Sequence, residues 1–301
     1  MKWRMITDWA KRQPLALRVA DWLGRGRGKF RFFDGLHRPS APPKPNLKTW
    51  HKNDLSAAWI GHATVLLRIG DMNILTDPVF SNRVGIGLGL WTGGPRRLLA
   101  PALNIRELPP IDLILVSHAH YDHLDRPSLS RLPKDTPVIA AHHTSDLIRD
   151  LGFHRVSELR WGESMNVSSI KVTSQKVRHW GARTMYDDHR SFCAFLIESG
   201  KRRVLYGADT AHHNYFKDIG KVDLAIVGIG GYDPYIQAHA NPEQAWDMAN
   251  QVMADFVLPM HHSTFRLSHE PVHEPMERML RAAGAGADRL VIREVGGQWA
   301  S

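Results

Sequence analysis

Three histidines and an aspartate fall within six residues: His118, His120, Asp122 and His123, in Ser117-His-Ala-His-Tyr-Asp-His-Leu-Asp125. Imidazole and carboxylate are the donors that zinc takes at catalytic sites. His118 and His120 are two apart, so both point to one side of an extended segment. Asp122 and His123 then face a second position nearby. Without a cation, four ionisable groups at the mouth of a strand would repel or stay unpaired, at a cost of roughly several kcal/mol. The cluster therefore reads as a metal site rather than as packing.

The elements that must carry it can be read from the pattern around it. Ile111–Val116, apolar but for Asp112, leads into the cluster as expected of a strand buried on both faces. Ser56–Ile69 and Asn73–Thr76 read as strand, turn, strand, with Gly70-Asp71 at the turn. Further strands are expected at Val138–Ala141, Ile170–Val177, Phe192–Glu198, Arg203–Tyr206, Leu224–Val227, Phe256–Pro259 and Leu290–Val295. Helices are expected near Thr144–Leu151 and at Pro242–Ala254 and Glu274–Ala283, and Val84–Pro95 reads as a Gly-rich mobile loop. Strands first and helices interleaved later suit sheets packed on each other with helices outside.

The motif His-x-His-x-Asp-His resembles the hallmark of the metallo-β-lactamase superfamily, and the resemblance runs over roughly residues 50 to 295. It implies an α+β fold, a four-layer αββα sandwich. It also implies three later ligands at strand ends: His179, Asp209 in Tyr206-Gly-Ala-Asp-Thr210, and His261, with His262 adjoining. His118, His120 and His179 would then hold one Zn2+, and Asp122, His123 and His261 the other, with Asp209 as bridge. Other divalent transition metals would suit the same donors. Two such ions share a water and bring its pKa to near 7, and Asp122 would orient that water.

Longer phrases resemble one branch, the N-acyl-phosphatidylethanolamine phospholipase D-like family. They are Trp59-Ile-Gly-His-Ala-Thr-Val-Leu, Leu75-Thr-Asp-Pro-Val-Phe-Ser, Arg178-His-Trp-Gly-Ala-Arg183, His239-Ala-Asn-Pro-Glu-Gln-Ala and Met260-His-His-Ser-Thr-Phe. That resemblance places His239 near the substrate as a catalytic residue. Tyr121 is expected to reach the substrate, and His62, in a Gly-His-Ala turn, either to bind substrate or to support the site from behind by a hydrogen bond to a ligand carboxylate or carbonyl. Asp77 in Thr-Asp-Pro could be placed like His62 or be an ordinary turn residue. The chain departs from the family at Tyr235-Ile-Gln-Ala-His239 and at Cys193, positions that would shape the pocket. The pair His142-His143 reads as surface or packing.

Charge divides the chain. Residues 1–38 hold ten Lys and Arg against three Asp, so only +2 of the net +9 belongs to the remaining residues. A body so close to neutral argues against nucleic acid as a partner. Residues 1–46 read as a basic amphipathic arm and Pro-rich linker, and residues 47–301 as the catalytic domain. In the arm, Leu15, Val19, Trp22 and Leu23 share a helical face, as do Trp3, Ile6 and Trp9. Such a face suits peripheral association with a membrane surface or packing on the body. No stretch is long and apolar enough to span a bilayer, and Asp8, Lys11, Arg12 and Arg18 interrupt any secretory core. With Cys193 the one cysteine, a cytoplasmic protein is expected, possible on the inner membrane face and possible as an oligomer. The expected activity is a phospholipase D-type phosphodiesterase on N-acyl-phosphatidylethanolamine-like phospholipids. The alternative is a soluble hydrolase or lactonase of small phosphorylated metabolites.

Overall fold

The computed structural model describes residues 39–88 and 91–301. The arm up to residue 38, with both of its expected helical pieces, lies outside the described residues. Fifteen strands are described: β1 (Leu55–Gly61), β2 (Thr64–Ile69), β3 (Met72–Thr76), β4 (Ile86–Leu88), β5 (Trp91–Gly93), β6 (Leu113–Val116), β7 (Val138–Ala141), β8 (Val156–Leu159), β9 (Ser164–Val167), β10 (Ile170–Gln175), β11 (Ala194–Ser199), β12 (Arg202–Tyr206), β13 (Leu224–Gly228), β14 (Phe256–Met260) and β15 (Gln298–Ala300). The helices are α1 (Arg126–Leu129), α2 (Asp146–Arg149), α3 (Pro242–Gln251) and α4 (Glu274–Ala283).

Two sheets form the centre. The first runs β15-β1-β2-β3-β6-β7-β8 and the second β14-β13-β12-β11-β10-β9. Each mixes antiparallel hairpins with parallel strands; β3, β6, β7 and β8 are parallel, as are β12, β13 and β14. Alternation decides which face each side chain takes. Leu113 and Leu115 of β6 enter the layer between the sheets, together with Trp59, Phe195 and Ile226. Ile114 and Val116 turn to the opposite face and pack with Leu129 and Ile148 of α1 and α2. This explains why Leu113–Val116 is apolar at every position: each buried aliphatic side chain contributes about 1.5–3 kcal/mol on either face. On the outer face of the second sheet, Leu205, Ala225 and Val257 meet Ala245, Met248 and Met279 of α3 and α4. The layers are therefore helix, sheet, sheet, helix, the αββα order expected.

Four local readings differ from the sequence expectation. The run Ser56–Ile69 is broken by a tight turn at His62-Ala63, giving β1 and β2. His62 takes φ 54° there. Within Val84–Pro95, β4 and β5 pair as a small hairpin rather than forming a featureless loop. Its ends meet at Gly85 and Gly94, where an added Cβ would lie 2.0 Å from a carbonyl oxygen across the pair. Leu290–Val295 is not a strand: it makes one bridge, Val257 to Leu290, and the edge of the first sheet is β15 instead. The Pro-rich stretch is bound to the body, since Ser40 exchanges backbone hydrogen bonds with Leu98 and Ala100, and Lys44 pairs with Glu107.

Candidate metal centre

The strand ends place the site. After β6 the chain stays extended through His118 and His120. It then turns, with the N–H groups of His123 and Leu124 both donating to the His120 carbonyl. The turn is clamped from outside by Arg183, which donates to the carbonyls of Ala119 and Leu124 at 2.8 Å each and stacks 3.9 Å over the Tyr121 ring. His179 follows β10, Asp209 follows β12 and His261 follows β14, all at the same edge of the sandwich.

Two sets of donors converge there. His118, His120, His179 and Asp209 form one; His62, Asp122, His123 and His261 form the other. Within each set one donor atom per residue lies within 4.8 Å of the rest. Asp209 Oδ2 belongs to both, at 3.1 Å from His123 Nε2 and 3.2 Å from His261 Nε2, with His118 Nε2 and His179 Nε2 at 3.9 and 3.8 Å. The seven residues read from the motif and its resemblance are thus brought together. His262 is not with them: its ring packs 4.7 Å from Trp59. His142 and His143 stack on each other 3.7 Å apart, with His142 on Glu158.

Partners fix which nitrogen each imidazole offers. Asp77 is the hub. Its carboxylate accepts from Ser117 N (2.7 Å), Ser117 Oγ (2.6 Å), Tyr206 OH (2.5 Å) and His123 Nδ1 (2.6 Å). With the Ser117 hydroxyl proton spent on Asp77, Ser117 Oγ accepts from His118 Nδ1 at 2.9 Å. His179 Nδ1 donates to the Ala238 carbonyl at 2.9 Å. His118 and His179 therefore carry their proton on Nδ1 and present the Nε2 lone pair inward, while His123 gives Nδ1–H to Asp77 and turns Nε2 towards Asp209. His120 Nδ1 lies 2.9 Å from His118 Nε2 and 3.3 Å from His179 Nε2, so without a metal its N–H is what those two lone pairs share. His120 Nε2, His123 Nε2 and Asp209 Oδ1 are buried without hydrogen-bond partners. Such an arrangement costs free energy unless a cation fills it, so the donors present fit a pair of divalent metals.

The electrostatics divide in the same way. Burial, helped by neighbouring imidazoles, lowers His118 well below the usual value, His120 to about 4 and His179 to about 3, so all are neutral. Burial also opposes charge on His123 and His261. There, however, Asp209 and Asp122 prevail, holding His123 well above the usual value and His261 at about 9. Both carboxylates are held well below their usual range, against burial, by those same imidazoles.

The remaining expectations fare differently. His239 sits at the rim, its ring 5.0 Å from His179 and its Nδ1 3.8 Å from Asp209 Oδ2. Its place needs Gly231 opposite: φ there is 84°, and an added Cβ would lie 3.0 Å from His239 Nδ1. Tyr121 lies partly buried beside Val79, Val84 and Phe265. His62 is a correction. Contact with substrate is not what it makes, since only 1% of it is exposed, whereas the hydrogen bond expected to a ligand carboxylate is present, Nε2 to Asp122 Oδ2 at 2.8 Å. Sequence reasoning missed Ser117 and Tyr206 as partners of Asp77, and also Trp180, which lies 4.8 Å from His120 and 4.5 Å from His179 while 38% exposed. The Thr-Asp-Pro turn directly after a strand was the available signal for Asp77.

Comparison with known proteins agrees with this geometry. Residues 72–262 match the model of the beta-lactamase superfamily domain. An uncharacterized protein of Mycobacterium tuberculosis is 32% identical over 265 residues, covering 82% of this chain and 69% of that one. N-acyl-phosphatidylethanolamine-hydrolyzing phospholipase D 1 of Caenorhabditis elegans is 30% identical over 259 residues, covering 79% and 72%. A possible metal-dependent hydrolase from Veillonella parvula shares the fold, with TM-score 0.68 at 17% identity over 83% of this chain and 100% of that one. The chain belongs to the beta-lactamase superfamily and is a metal-dependent hydrolase.

Proposed function

We propose that this chain is a dinuclear zinc phosphodiesterase that cleaves N-acyl-phosphatidylethanolamine-like phospholipids in the phospholipase D sense. One observation carries the two-metal part: Asp209 Oδ2 stands within 3.9 Å of histidine nitrogens from both donor sets. His118, His120 and His179 would hold one ion and Asp122, His123 and His261 the other. Bound there, the pair supplies a water of lowered pKa and positive charge to stabilise the developing phosphorane oxygens. The protein's part is placement. Asp122, ionised and 15% exposed at its side chain, accepts a hydrogen bond from the attacking water and aims it at phosphorus. His239, kept neutral by burial with a pKa of about 3, offers a hydrogen bond to a phosphoryl oxygen at the rim. Water adds to phosphorus as its proton passes to Asp122, the P–O bond to the ethanolamine side breaks, and the proton is delivered to the departing oxygen, which leaves as an alcohol.

The lipid part is supported by the C. elegans relative and by the surface around the mouth. Trp180, Met185, Tyr186 and Ile236 are exposed large apolar side chains on the two loops beside His179 and His239. Those loops are joined by the bond from Arg178 to Gln237 at 3.1 Å. Apolar exposure of this kind suits a substrate with acyl chains. Among the described residues no helix is long and apolar enough to cross a membrane, so contact with lipid would be from the surface. The test is turnover of N-acyl-phosphatidylethanolamine in mixed micelles by the zinc-loaded chain. Release of phosphatidic acid and N-acylethanolamine is expected. No diester cleavage, with turnover of a sugar-phosphate lactone instead, would overturn the lipid assignment.

A further inference from the structure

We propose that His62 is a positioning residue for Asp122: it donates Nε2–H to Oδ2 and holds the carboxylate in place, touching neither metal nor substrate. This deepens the function proposed above and rests on its two-cation reading.

The backbone of His62 is fixed on every side. Its φ of 54° is a conformation a non-glycine residue keeps only when its surroundings require it. Its N–H donates to Thr264 Oγ1 at 2.8 Å. Its carbonyl accepts from Trp59 Nε1 at 2.7 Å and from the His261 N–H at 3.2 Å. The last bond ties it to the backbone of a proposed ligand. Above, its ring lies 4.1 Å from the His261 ring and 5.2 Å from Phe265. The imidazole therefore cannot swing out to meet a substrate.

Geometry separates it from the ligands too. Oδ2 of Asp122 has three imidazole neighbours, and His62 Nε2 is the nearest at 2.8 Å, against 3.3 Å for His261 and 3.6 Å for His123. Four of the five proposed histidine ligands, His118, His123, His179 and His261, come within 3.9 Å of Asp209 Oδ2, as does His239 at the rim. His62 lies within the second donor set, and its ion-pair contact there is with Asp122. Asp122, His123, His261 and Asp209 already give the second ion four donors, and a fifth would occupy the position an attacking water needs. A carboxylate that orients water works only if its own rotamer is held, and a buried neutral imidazole, with one N–H to give, holds it without adding charge.

The experiment reads the ring itself. Long-range ¹H–¹⁵N spectra of the imidazoles are recorded on the metal-free and the zinc-loaded full chain. His62 is expected as the Nε2–H tautomer in both. An Nδ1–H tautomer, or a shift of Nε2 to the metal-bound range on zinc loading, overturns the proposal. In parallel, His62→Asn, which tolerates the same backbone, and His62→Gln, which restores an amide donor, are titrated with Co2+. Both are expected to take as many ions as wild type with unchanged band positions. The Asn variant should bind the second ion about 10–100-fold more weakly, with kcat falling and KM unchanged, and the Gln variant should recover part of the loss. A drop by one ion per chain, or wild-type affinity and kcat in His62→Asn, contradicts it. A wild-type chain that takes fewer than two ions defeats the function proposed above, while the tautomer still decides His62.

Discussion

On one side of Asp209 stand His118, His120 and His179, neutral rings in which the Nε2 atoms of His118 and His179 both turn to His120 Nδ1. On the other stand His123 and His261, which carry protons between two ionised carboxylates. The donor types are the same and the burial is similar; what differs is the number of carboxylates within reach. The first set has Asp209 at 3.8–3.9 Å, whereas the second has Asp209 near 3.1 Å, Asp122 beside it and Asp77 behind His123. Without a metal, protons on His123 and His261 balance that negative charge. A cation entering the first set meets free lone pairs; one entering the second must displace protons.

The contrast can be broken most severely at the residue common to both sides. Asp209→Ala should abolish stable loading of both ions and reduce activity by more than the about 10–100-fold typical of an outer partner. Loss of one ion only, seen by elemental analysis, would show that the sets are independent. Next in size is Asp77→Asn, which weakens the acceptor for His123 Nδ1. It should lower affinity for the second ion about 10–100-fold and affect the first less, because His118 is reached only through Ser117.

The protons themselves sharpen the comparison. His261 binds its proton below about pH 9, so second-ion affinity should climb with pH up to that point, about tenfold per unit for each proton displaced. First-ion affinity should be flat above about pH 5, since His120 and His179 are already neutral there. Calorimetry in buffers of different ionisation enthalpy counts the protons released. For the metal-free chain the signs run in opposite directions. A raised folded pKa stabilises at low pH, so the His261 contribution is full below 6.5 and is lost as pH rises through about 9. A lowered one stabilises at high pH, so the His179 contribution is full above 6.5 and is lost as pH falls towards about 3. Thermal stability without metal should therefore peak near the ordinary histidine pKa, and a monotonic profile would refute that division. The smallest expected effect is at the rim: Trp180→Ala should raise KM severalfold and leave metal loading unchanged.

How much of this was open to sequence reading follows the range of the contacts. His118, His120, Asp122 and His123 lie in one turn, so their spacing was enough to mark a metal site. His179, Asp209 and His261 came through family likeness and the rule that ligands follow strands, and β10, β12 and β14 do end just before them. The choice between His261 and His262 needed the structure, because only side-chain direction separates them. Asp77 was recognised as a turn residue, but its partners Tyr206 and Ser117 lie 129 and 40 positions away, beyond any local pattern. That Gly-His-Ala ends one strand and starts the next was not read, because apolar residues continue on both sides of it and the turn is held by a distant residue, Thr264. Leu290–Val295 misled because its apolar side chains serve as core fill at Leu290, Ile292 and Val295 without pairing as a strand.

The centre as a whole is tested most directly by anomalous diffraction at the zinc edge from crystals of the loaded chain. Two peaks are expected, one among His118, His120 and His179 and one among Asp122, His123 and His261, with Asp209 touching both. A single peak, or peaks away from Asp209, would contradict a shared two-cation site.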